Sequence, residues 1–189
     1  MTTWLFLGVA LLYPIYLEPI NQTKLYLFLI LVFITTFLIP FLSISIFKLS
    51  GVISSFEMPN RAERFVPLLF ITSLYGLSLY FMYSKLALGI NVIAIFLGIT
   101  LLLLFLTFIT LKWQISLHSA ASSGIVGFLL AMLAQSPEGN LLLLCTIFIL
   151  LAGLVASARL FLNAHTIEEV GTGSFLGFIV CFLTVYIIN

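Results

Sequence analysis

Apolar residues run along this chain in long blocks separated by short polar breaks. Seven blocks stand out: Trp4–Leu17, Lys24–Phe47, Phe65–Tyr83, Leu88–Leu111, Ser119–Gln135, Leu141–Leu162 and Val170–Ile188. Each approaches the ~20 residues that an α-helix needs to cross a bilayer. The first is the shortest and carries Pro14, which should kink it. The fifth opens Ser-Ala-Ala-Ser-Ser-Gly and is only moderately apolar. Polar residues do not alternate within the blocks, as the strands of a membrane β-barrel would require. The pattern predicts an all-α, polytopic transmembrane helical bundle of six to seven spans, folded as one membrane-embedded domain over residues 1–189.

Small residues recur at helical spacing in the last three blocks: Ser119, Ser123 and Gly127; Gly153 and Ser157; Gly173 and Gly177. Such stripes let helices approach closely in lipid, or line a ligand channel. Tight packing is the favoured reading.

Composition strengthens the membrane assignment. The chain is 63% hydrophobic and 7% charged, with a mean hydropathy of +1.32. A net charge of +1 gives no electrostatic footprint for nucleic acid. Cys145 and Cys181 each lie inside an apolar run and read as packed thiols, not as a disulfide or metal pair. Asp is absent, so any carboxylate role falls to Glu18, Glu57, Glu63, Glu138, Glu168 or Glu169. The N-terminal block lacks a basic flank and leads to Pro19, not to a small-residue cleavage site. A retained first helix is expected.

All three arginines and both histidines fall in three short windows: Asn60–Arg64, Ser116–His118 and Arg159–Glu169. Charge is expensive near lipid, so its clustering suggests a site. Two spans separate Arg64 from His118, and two more separate His118 from Arg159. An even number of crossings returns the chain to the same face, so the three windows should meet at one membrane surface. The opposite surface receives the turns Asn21–Lys24, Ser84-Lys85 and Ser136–Asn140. Charge bias does not orient the bundle. The site face holds Lys48 and Lys112 besides the arginines, the other face Lys24 and Lys85, so without the arginines the two sides balance.

Asn60 and Glu63 have the spacing of a capping box that starts a helix. Arg61 and Arg64 then occupy its first turn, where the helix dipole disfavours cations unless an anion binds there. Two guanidinium forks on one face would grip a phosphate; they would equally serve as interface arginines reaching lipid headgroups. Ser116 and His118 follow Lys112-Trp113, an interfacial pair, and a lone His at a helix end is commonly structural. The third window is sharper. Glu169 lies four residues after His165, within reach on a helix, and a carboxylate on one ring nitrogen leaves the other free to attack. Thr166 and Glu169 also form a capping box, so Glu169 caps, orients, or does both.

At these residues the chain resembles the type 2 phosphatidic acid phosphatase family of membrane lipid phosphatases, whose motifs are K-x6-R-P, P-S-G-H and S-R-x5-H-x3-D. Arg159-x5-His165-x3-Glu169 reproduces the third, with Ala158 for its Ser and Glu169 for its Asp. Ser116 and His118 match the second, with Ile115 and Leu117 in place of Pro and Gly. Arg64 fits the Arg of the first, but Glu57 occupies the Lys position and Pro67 comes two residues late. Order, spacing and the two-span intervals agree over roughly residues 57–188. The resemblance implies that His165 is the nucleophile, Glu169 its orienting carboxylate, and His118 the acid that protonates the departing alcohol and then activates water. It implies phosphate binding by Arg64 and Arg159, with Arg61 and Ser116, and no metal or other cofactor. The implied partner is a lipid phosphate from the bilayer, a monoester or pyrophosphate, met at the periplasmic face of a bacterial inner membrane. A lipid phosphotransferase using the same histidine, or a catalytically silent lipid-phosphate binder or transporter, fits the same residues. Neither the lipid nor an oligomeric state follows from the sequence.

Overall fold

The structure, a computed structural model, describes residues 2–20, 22–56, 58, 60–86, 88–137 and 139–188. Among them the regular elements are helical: α1 (Thr2–Leu12), α2 (Gln22–Phe33), α3 (Ile39–Leu49), α4 (Arg61–Lys85), α5 (Ile90–Thr110), α6 (Leu117–Gln135), α7 (Gly139–Phe161) and α8 (Ile167–Ile188). A π-helical turn, Ile34–Leu38, joins α2 to α3 as one continuous span. Six helices are thus long and apolar enough to cross a membrane, and α1 is shorter. Large apolar side chains such as Tyr26, Leu27, Leu150 and Phe175 are exposed on the outer surface, as lipid contact requires.

Two expectations from the sequence change here. The first block is not a span. At 1.5 Å per residue α1 reaches only about 16 Å, and Pro14 does not kink it. The helix stops at Leu12, and Pro14 opens a separate 3-10 turn, Pro14–Leu17. Pro supplies no N–H to continue the ladder but fits a helix start, where none is needed. Glu18 follows in extended conformation, and the Tyr16 carbonyl accepts from Asn91 Nδ2 at the start of α5 (3.3 Å). The second change is in the Lys24–Phe47 block, which is interrupted by the π turn. Pro40 offers no N–H to the Thr36 carbonyl four residues back. That carbonyl instead accepts from the Tyr75 hydroxyl (3.4 Å), halfway along α4. Thr2 meets the same hydroxyl (3.3 Å) and Thr3 meets the Thr36 hydroxyl (3.2 Å), so the start of α1 closes a small polar cluster at mid-depth.

The helix with the most modest apolar character is the most buried. In α6, 61% of the most apolar stretch lies inside the protein, against 17% for the span Lys24–Leu49. Helix α6 is ringed by protein, so it carries small and hydroxylated residues where a lipid-facing helix carries leucine. It packs chiefly on α8, then α7, while α4 packs on α5 and α5 on α8. The α6–α8 contact is backbone on backbone. A Cβ on Gly173 would stand 2.7 Å from the Ser116 carbonyl oxygen, and one on Gly177 would overlap the Ala120 carbonyl. Gly127 meets the Phe178 carbonyl in the same way. Gly153, in contrast, has open space where its Cβ would be, so its stripe does not serve helix packing. Cys145 and Cys181 are free, buried thiols.

Gly177→Val should therefore lower stability in detergent by about 1–3 kcal/mol, the range for overpacking. Gly153→Ala should be neutral, or stabilising by up to about 1 kcal/mol, because alanine is the better helix former. Thermal unfolding of the two purified variants beside the parent checks both signs.

Candidate active site

The polar windows come together at one end of the bundle, at the starts of α4, α6 and α8 and the end of α7. At the first of these starts, Asn60 takes N-cap geometry (φ −81°, ψ 126°), but its side chain caps no helix N–H. It donates to Glu63 Oε1 (2.8 Å), while Glu63 Oε2 accepts from both the N–H and the hydroxyl of Ser54 (2.8 Å each). The capping box expected there is absent because Ser54 supplies the carboxylate with two donors. Glu63 instead ties the loop that follows α3 onto α4. Lys48 lies over the Phe56 ring of the same loop, 4.1 Å from its centroid. Met58 sits in the left-handed region (φ 45°), at a backbone cost of about 1–2 kcal/mol, and its carbonyl accepts from Arg64 Nε (2.8 Å). Glu57, at the family's Lys position, and Pro59 lie outside the described residues.

The two arginines of this window part company. Arg64 is buried, with 7% of its surface exposed, and turns into the bundle. Arg61 is exposed and donates through Nη1 to the Lys112 carbonyl, bracing α4 against the chain leading into α6. Ser116 is fully buried and caps α6. Its hydroxyl pairs with the Ser119 hydroxyl (2.9 Å) and accepts from the Ser119 N–H (3.4 Å). The expected phosphate grip of Ser116 thus meets a hydroxyl already engaged inside the protein. His118, two residues on, is exposed.

The third window is built by two helix ends and a tight turn. Asn163 is left-handed (φ 50°), Ala164 N–H donates to the Arg159 carbonyl (3.1 Å) and Asn163 N–H to the Leu160 carbonyl (3.0 Å). This is the Schellman arrangement that ends α7, with Asn in place of the more usual Gly. It places Arg159 in the last helical turn, where the dipole favours a cation. The chain then passes through His165 to Thr166, which opens α8. Glu169 N–H donates to the Thr166 hydroxyl (3.3 Å) and Thr166 N–H donates to Glu169 Oε2 (3.1 Å), a complete capping box. The same Oε2 holds His165 Nδ1 at 2.8 Å. Glu169 therefore caps and orients at once. A carboxylate only accepts, so in the neutral ring Nδ1 carries the proton and Nε2 the lone pair.

Electrostatic interactions connect the windows across helices. Glu169 and Arg159 act on Arg64, and Arg159, His165 and Arg64 act on His118. The Ser116 N–H also donates to the Glu169 carbonyl (3.2 Å), joining the starts of α6 and α8. His118, His165, Glu169, Arg64 and Arg159 thus form one cluster. Arg61 and Ser116 brace it from outside and below. Among the described residues no three His, Cys, Asp or Glu side chains gather as a metal would need. Sequence reasoning did not single out Asn163, whose signal was an Asn just past a helix end, or Ser54, which had none.

A cluster of two arginines, two histidines and a carboxylate at one end of a multi-pass helical bundle is suited to phosphoester chemistry. The PAP2 superfamily model matches residues 105–189, consistent with a member of the type 2 phosphatidic acid phosphatase family. The matched stretch holds His118, Arg159, His165 and Glu169, with Arg61 and Arg64 before it. No curated protein and no solved structure matches the chain. The match supports phosphatase-type chemistry on a lipid or other phosphoester by a multi-pass membrane protein.

The turn that delivers His165 gives a direct test. Asn163→Gly should preserve stability, since glycine accepts the left-handed backbone without strain. Asn163→Val should lose about 1–2 kcal/mol and displace His165. Unfolding midpoints of both variants in the same detergent decide this.

Proposed function

We propose that this protein is a metal-independent lipid phosphatase working through a phosphohistidine at His165. The observation that carries the reading is the His165 Nδ1–Glu169 bond of 2.8 Å, which fixes the tautomer with Nε2 unprotonated. Arg64 and Arg159 hold the non-bridging oxygens of the substrate phosphate; their mutual repulsion is relieved when the anion binds. The Nε2 lone pair attacks phosphorus and the bond to the lipid oxygen breaks. With the negative charge of the bound phosphate offsetting the two arginines, protonated His118 gives its proton to that oxygen, and the lipid alcohol departs. His118, now neutral, takes a proton from water as the water oxygen attacks phosphorus. The P–N bond breaks, inorganic phosphate leaves and both histidines return to their starting states. Arg61 and Ser116 contribute by fixing the entry to α4 and α6. The family resemblance supports placing this site at the periplasmic face of a bacterial inner membrane.

His165→Ala should lower phosphate release from phosphatidic acid in detergent micelles by about 10³-fold or more, while binding of that lipid persists through the two arginines. Full turnover by this variant would remove His165 as the nucleophile. Glu169→Gln keeps an acceptor for the cap but no longer enforces the tautomer. It should lower kcat by roughly 10²–10⁴-fold with a smaller change in KM. Activity of the parent should persist in excess chelator, and an absolute requirement for a divalent cation would point to a different reaction class.

A further inference from the structure

Among the described residues, the fully buried side-chain polar atom without a hydrogen-bond partner is the hydroxyl of Thr110, the last residue of α5. Other threonines of the spans bond to the carbonyl four residues back, as Thr100 (2.7 Å), Thr107 (2.7 Å) and Thr184 (2.6 Å) do. Thr110, only 2% exposed, makes no such bond to Leu106. An unpaired hydroxyl inside a protein is costly, so a fold that keeps one has a use for it.

Its neighbours fix where it points. Gly98, Leu102 and Leu106 precede Thr110 at four-residue intervals, on one stripe of α5. That stripe faces the α6–α8 seam: a Cβ on Gly98 would meet Phe128 and Thr184, and one on Gly124 would meet Leu102 and Cys181. Thr107 faces α4 instead. Its hydroxyl meets that of Thr72 (3.0 Å), on the stripe that carries Leu68 and the buried Arg64. At about 100° per residue, Thr110 points about 40° from Leu106 and about 60° from Thr107, between the two directions. It therefore faces the junction of α4, α6 and α8, whose starts carry Arg64, His118 and Glu169. Depth agrees from each helix. At about 1.5 Å per residue, Thr110 is level with Ser116 and within about 3 Å of His118, counting from Leu102 and Gly124. Counting from Gly98 and Thr184 puts it about 5 Å below Glu169, and counting from Thr107 and Thr72 about 8 Å below Arg64.

The serine hydroxyls at this level are taken: Ser116 pairs with Ser119, and Ser122 bonds to the Ser119 carbonyl (3.1 Å). A guanidinium only donates, so Arg64 and Arg159 offer the Thr110 proton no acceptor, whereas a phosphate oxygen among them accepts from all three. We infer that Thr110, outside all three polar windows, is the neutral donor of the anion site, its hydroxyl bonding from below to an oxygen of the phosphate held by Arg64 and Arg159. This is the role that the motif assigns to Ser116. The inference rests on the phosphatase reading for the identity of the anion and adds a residue that binds it.

The test measures binding of inorganic phosphate to the protein purified in detergent, by phosphorus NMR titration and by the rise in unfolding midpoint that phosphate causes. The parent is compared with Thr110→Val, Thr110→Ser and Thr107→Val. Thr110→Val keeps the shape and removes only the hydroxyl. It should weaken phosphate binding by about 10-fold or more, the worth of a hydrogen bond to a charged group. Thr110→Ser retains the donor and should stay within about 3-fold of the parent. Thr107→Val, whose hydroxyl is already engaged one turn away, should stay within about 2-fold. Without phosphate, Thr110→Val should unfold at or above the parent midpoint, because a methyl replaces an unpaired hydroxyl. A purely structural hydroxyl predicts the reverse: a lower midpoint without phosphate and an unchanged rise with it. That pattern, or equal phosphate binding by Thr110→Val and the parent, overturns the inference and leaves the phosphatase reading standing. If Thr110→Val weakens binding but the parent hydrolyses neither phosphatidic acid nor para-nitrophenyl phosphate, the phosphatase reading falls and the anion site stands with Thr110 in it. A parent that binds no phosphate overturns both.

Discussion

Gly173 and Gly177 rest directly on the carbonyls of Ser116 and Ala120, and the geometry of the site follows from that contact. In lipid, helices gain little from burying apolar surface against one another, so close backbone approach and satisfied polar groups must hold them together. Here the approach continues upward into a hydrogen bond from the Ser116 N–H to the Glu169 carbonyl. The residue that orients one imidazole is thereby tied to the cap of the helix that carries the other. A β-carbon at either glycine would push α8 away and part the two rings, although no chemical group in the site had changed.

Glu169 illustrates how few residues the site uses. One carboxylate oxygen accepts from the Thr166 N–H and holds the His165 ring, so the helix start and the orientation of that imidazole are set by one group. Around it, two arginines lie within electrostatic reach of each other with one carboxylate between them, an excess of positive charge that an anion would balance. On the loop side, Glu63 spends its charge on Ser54 and Asn60 and is therefore not free to oppose that anion.

Much of this was legible in the sequence because the governing patterns are local or topological. Block length announced the long helices, parity put the windows on one surface, and four-residue spacing paired His165 with Glu169. What escaped depended on distant partners. Pro40 was visible, but the π turn that absorbs it needs Tyr75 from another helix. Arg61 and Arg64, three residues apart, looked alike until the Met58 carbonyl drew one inward and the Lys112 carbonyl held the other outside. The fifth block read as weak because hydropathy measures kinship with lipid, and α6 is surrounded by protein. That the Ser116 hydroxyl turns to Ser119 depends on the cap geometry of α6, which a motif does not specify.

The span formed by α2 and α3 is fastened differently from the rest. It meets the bundle through hydroxyls at the π turn, at mid-depth, and through the loop pinned by Glu63 at its end, while most of its surface faces outward. Directional bonds fix such an element in register without committing its flanks to any neighbour. Its outward side chains answer mainly to bilayer thickness and composition, so this helix can be retuned to a different membrane while the polar end of the molecule stays as it is.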